Sequence, residues 1–86
     1  MLLDRQATIA RAVRELEGGP DDLRLRESIR AEAHKLAGLL GTLGLPRGTE
    51  IARAIEARLD PTAPPPEFAE LRRLASDLRA VIESRD

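Results

Sequence analysis

The chain has 86 residues, enough for one small domain and no second one. Fourteen basic residues against fifteen acidic ones leave a net charge of −1, so no global field draws it to nucleic acid or to an anionic membrane. With one Phe, no Tyr or Trp and no Cys, base-stacking platforms, disulfides and thiolate metal sites are excluded.

Ala, Leu, Arg and Glu dominate, which favours helix, and the breakers divide the chain into four helical segments. The first is expected over Asp4–Glu17, with Ile9, Val13 and Leu16 at helical spacing. "GGPDD" closes it: Gly18 or Gly19 can take a left-handed cap, and Asp21 or Asp22 can accept the free N–H groups of the next helix. The second helix is expected from about Asp22 to Thr42, its stripe made of Leu25, Ile29, Leu36, Leu40 and Leu43. Gly44 and Pro46 stop it and open the third, whose stripe is Ile51, Ile55 and Leu59. "DPTAPPP" is too proline-rich for a helix interior, and its last Pro is expected to open the fourth helix, where Phe68, Leu71, Ala75, Leu78 and Ile82 form an a/d seam. The expected fold is all-α, an antiparallel up-down four-helix bundle occupying residues 1–86 as a single domain.

"MLLDRQ" lacks a basic start followed by an apolar run, and no stretch approaches the ~20 apolar residues of a membrane span, so no membrane association and a cytoplasmic location are expected.

Function must then come from a site, and His34, the single histidine, marks one. At about 100° per residue, His34 lies about 160° from Leu36, the centre of the second helix's apolar stripe, and so points to water. Gly38 and Gly41 fall within about 40° of it on the same exposed face. Each costs a helix roughly 0.8–1 kcal/mol relative to Ala. One reading is clearance, letting a partner approach the imidazole; the alternatives are thinning for helix–helix packing, or fraying at Gly41.

Imidazole is the side chain whose ordinary titration range lies nearest neutrality, which makes its neutral form available as a nucleophile. The partners for hydrolysis are missing: Ser28 and Ser76 have no evident relation to His34, and Glu27, seven residues before it, is a poor metal-ligand set alone. No metal and no cofactor are therefore expected. Lys35, the one lysine, flanks the exposed face, and Arg30 sits one turn before the histidine.

"AHKLAGLLGTLGL", Ala33–Leu45, resembles the signature of histidine-containing phosphotransfer (Hpt) domains, and "EIARAIEARL" resembles the family's third helix. The resemblance implies a non-enzymatic carrier of a two-component phosphorelay. In it His34 would be the phosphoacceptor, Lys35 a phosphate neighbour, and Arg30, Ala31, Ala37, Gly38, Gly41 and Thr42 the docking face. The implied partners are a response-regulator receiver domain, which brings its own acidic pocket and Mg²⁺, and a sensor histidine kinase. Ala37 stands where the family often has Lys, and Leu39 where it usually has a small residue. The competing reading is a non-catalytic interaction or dimerisation bundle that uses the same face.

Overall fold

The computed structural model describes residues 1–84; Arg85 and Asp86, included in the expected domain, lie outside the described residues. It contains four helices: α1 Leu2–Gly18, α2 Leu23–Thr42, α3 Pro46–Arg58 and α4 Phe68–Glu83. α1 starts two residues earlier than Asp4 because Leu2 is itself a core residue, buried with Ile9, Val13 and Leu16. Gln6 shares that buried face, and its Nε2 donates to the Ala75 carbonyl at 2.8 Å, which lets an amide sit in the α1–α4 contact without an unmet donor.

The turns correct the expected caps in two places. Gly19 adopts φ −127°, an extended conformation open to other residues, so no left-handed glycine closes α1. Asp22 caps α2 as its residue type suggests, Oδ1 accepting from the N–H groups of Arg24 (2.9 Å) and Leu25 (3.2 Å). The left-handed glycine is Gly44, at φ +74°. There the Leu45 N–H donates to Leu40 O and the Gly44 N–H to Gly41 O, the paired bonds of a Schellman ending. The helix therefore stops before Leu43 can turn inward, and Leu43, expected on the buried stripe, is 54% exposed.

Pro46 occupies the first turn of α3. Pro66 does not do the same for α4. Glu67 holds the N-cap position with extended backbone, its carbonyl accepting from Glu70 and Leu71, and the helix begins at Phe68. In the connection before it, Asp60 Oδ1 accepts from the Thr62 N–H (2.8 Å) and hydroxyl (2.6 Å), which holds the Asp60 carboxyl below the usual carboxylate range.

The helices pack as a ring: α1 against α2 and α4, and α3 against α2 and α4. Cross-helix pairs run in opposite order along α2 and α3, with Ala37 meeting Thr49 and His34 meeting Glu56. The same holds for α1 and α4, where Gln6 meets Ala75 and Glu17 meets Arg72. Ile9, Ile29, Leu36, Leu40, Ile55, Leu71, Leu78 and Ile82 fill the middle. The radius of gyration, 12.0 Å, is that of a well-packed chain of this length.

Gly48 is the glycine this packing uses. A Cβ there would stand 3.0 Å from Leu40 Cδ1 and 3.4 Å from Val81 Cγ1, so its missing side chain lets α3 settle against α2 and α4.

Candidate functional site

Ala33 and Leu36 are fully buried on the inner face of α2, and that fixes where the residue after Ala33 must point. His34 is turned outward, its side chain 75% exposed. Across from it on α3, Glu56 is largely covered and lies with Oε2 2.9 Å from His34 Nδ1. An ionised carboxylate can only accept, so the ring proton sits on Nδ1. Nε2 of the neutral ring then keeps its lone pair and faces away from the pair.

Glu56 also has Arg30 as an ion-pair neighbour, Nη1 lying 3.9 Å from the same oxygen. Arg30 is committed to Glu27, with Nε–Oε2 at 2.9 Å and Nη2–Oε1 at 2.7 Å. That fork holds the Glu27 carboxyl below its usual range and raises Arg30. Glu27 therefore serves Arg30, while the carboxylate on the histidine comes from α3.

An open groove of about 530 Å³ runs beside the ring, lined by Arg30, His34, Gly38, Arg53, Glu56 and Asp60 among others. A smaller recess of about 300 Å³ shares Arg30, His34 and Glu56 with it and adds Ala31 and Lys35. Of the residues expected at the site, His34, Lys35, Gly38, Gly41 and Thr42 are exposed, and Arg30 and Ala31 are half-buried. Ala37 is the exception. It is 5% exposed and closes the floor of the groove, with its carbonyl accepting from Thr49 Oγ1 at 3.1 Å, because it lies on the side of α2 that meets α3. Its methyl offers a partner little surface.

A family model described as the Hpt domain matches residues 1–82. The chain belongs to the Hpt domain family. No curated protein and no solved structure gave a match. Hpt domains carry phosphoryl groups on histidine in phosphorelays, work with response-regulator receiver domains and kinases, and are generally not enzymes. No helix of this Hpt domain among the described residues is long and apolar enough to cross a membrane, and no group of three His, Cys, Asp or Glu residues among them is placed to hold a metal ion.

The two glycines on the exposed face of α2 can be judged by what a side chain would meet. At Gly38 a Cβ finds nothing within 4 Å, and at Gly41 only Thr49 Oγ1 at an ordinary 3.6 Å. Packing inside the domain requires neither glycine. Gly38→Ala should accordingly stabilise the domain by about 0.8–1 kcal/mol. Thermal unfolding checks this as a rise of about 4–8 °C in midpoint; a fall would mean that the fold itself needs the glycine.

Sequence reasoning missed Glu56 and Arg53. Their signal lies on α3, where Thr49, Arg53, Glu56 and Asp60 recur at helical spacing along the edge of the apolar stripe.

Proposed function

We propose that His34 accepts a phosphoryl group from the aspartyl phosphate of a response-regulator receiver domain, or returns one to it. The observation that carries this is the Nδ1 contact to Glu56, which leaves Nε2 as a free nucleophile on an exposed ring beside the clear space at Gly38.

In the forward direction the Nε2 lone pair attacks phosphorus in line. The N–P bond forms as the P–O bond breaks, and the departing electron pair regenerates the receiver's carboxylate. The ring gains positive charge and keeps its Nδ1 proton. Glu56 accepts that proton's hydrogen bond and faces the growing charge, so it stabilises the transition state more than the ground state. The chain needs no metal of its own for this step, since the receiver contributes the electrophile and Mg²⁺. Docking then supplies orientation, which is worth several kcal/mol of the barrier.

Incubation with a phosphorylated receiver should transfer label to one acid-labile, base-stable position that maps to the His34 peptide. Label elsewhere, or none, would defeat the reading and favour a purely interactive bundle.

Glu56 gives a graded test. Glu56→Ala should slow uptake by about tenfold, the loss of one charge-assisted hydrogen bond, and Glu56→Gln should lose less because its amide oxygen still accepts from Nδ1. Equal rates for all three proteins in a single-turnover assay would show that the contact has no kinetic role.

A further inference from the structure

We infer that Arg53 is the phosphate-binding cation of this site, holding the phosphoryl group on His34 from α3. The inference rests on His34 being the phosphoacceptor and adds which side chain receives the charge that arrives.

Three cations surround the ring, and the structure separates them. Arg30 is spent on Glu27 by two hydrogen bonds, with Glu56 as its second acidic neighbour. Lys35 is exposed but lines the smaller recess, whose lining does not include Gly38. Arg53 lines the larger groove together with His34 and Gly38, is exposed, and makes no ion pair or hydrogen bond from its side chain among the described residues.

Position along α3 points the same way. Arg53 precedes Glu56 by three residues and so stands about 5–6 Å from it on one helix face. Because α3 runs opposite to α2, with Glu56 level with His34 and Thr49 level with Ala37, Arg53 falls between those levels, across from the His34–Gly38 turn. The space left by the missing Gly38 side chain lies in that groove.

The groove's other charges do not already balance Arg53. Glu56 is engaged by His34 and Arg30, and one oxygen of Asp60 is engaged by Thr62. A phosphoryl dianion on Nε2 would bring the negative charge that Arg53 lacks, and a guanidinium presents paired donors that match two phosphoryl oxygens. This assigns to α3 the cation that Ala37 cannot supply from α2.

Phosphoramidate tests this without a receiver. His34 Nε2 takes the phosphoryl group as the P–N bond breaks, and the nitrogen, already carrying its protons in the zwitterion, leaves as ammonia. Uptake should be followed for the wild-type chain, Arg53→Gln, Arg53→Lys, Lys35→Gln and His34→Gln. The Arg53 Nε–H NMR signal is recorded before and after phosphorylation of the wild type.

Arg53→Gln should slow uptake about tenfold, Arg53→Lys should recover part of the loss, and the Arg53 signal should shift on phosphorylation, a response that a merely structural arginine would not give. Uptake by Arg53→Gln within twofold of wild type, a larger loss in Lys35→Gln, or an unmoved Arg53 signal would each overturn the assignment while His34 labelling stands. Absence of label on wild-type His34, or equal label in His34→Gln, would instead remove the phosphoacceptor reading, and this assignment with it.

Discussion

His34→Gln should reduce phosphoryl uptake from a phosphorylated receiver by at least about 1,000-fold, because it removes the nitrogen proposed to take the phosphoryl group. Gln is a suitable replacement: it is polar and planar at its end, and its amide can still donate to Glu56, yet its nitrogen has no available lone pair. The side chain it replaces is three-quarters exposed and packs on nothing in the core. Stability should therefore stay within about 0.5 kcal/mol of wild type. The two readouts separate chemistry from folding. Retained labelling by a variant that melts like wild type would refute the assignment of His34, and the bundle would then be a docking module only.

The second large effect concerns the contact on which the site is mounted. Leu40 is completely buried, and its Cδ1 stands where a Gly48 side chain would go. Leu40→Ala should cost about 2–5 kcal/mol through lost transfer energy and a residual cavity. Gly48→Val should cost about 1–3 kcal/mol by overpacking the same spot. A domain of this size has on the order of 4–13 kcal/mol in total, so either change takes a large share.

The combined variant distinguishes this account from general fragility. The added valine fills part of the space that Leu40→Ala vacates, so the double variant should lose at least about 0.5 kcal/mol less than the sum of the singles. Urea unfolding of the four proteins measures the cycle. Strict additivity would show that the two positions do not compete for one volume.

Gly48 and Gly38 illustrate what the sequence could and could not reveal. A helical wheel on α2 places His34, Gly38 and Gly41 outside and Leu36 and Leu40 inside, and the structure agrees, because position on a helix surface depends only on the helical period. The same wheel puts Leu43 inside. It fails there because the period ends at the Schellman turn, and backbone geometry past the cap follows Gly44 instead. Pro66 misled for a related reason: proline tolerates a first helical turn but does not compel one, and the Glu67 carbonyl accepts the first helical N–H groups one step later.

Glu56 was out of reach for a different reason. A wheel on α3 shows Thr49, Arg53, Glu56 and Asp60 along one edge, but whether that edge meets α2 or turns to solvent depends on the handedness with which the helices are arranged around the ring. One sequence does not declare that. Nothing in the sequence singles out Gly48, since only the distance between helices makes a missing Cβ significant.

The Nδ1 contact has one more consequence, which concerns the order of assembly. His34 and Glu56 are 22 residues apart, and every side chain that touches the ring's groove comes from α2, α3 or the turn just after α3. Neither α1 nor α4 adds an atom to it. The site is thus built within one helical hairpin of short sequence separation, the kind of contact whose loop-closure cost in folding is small.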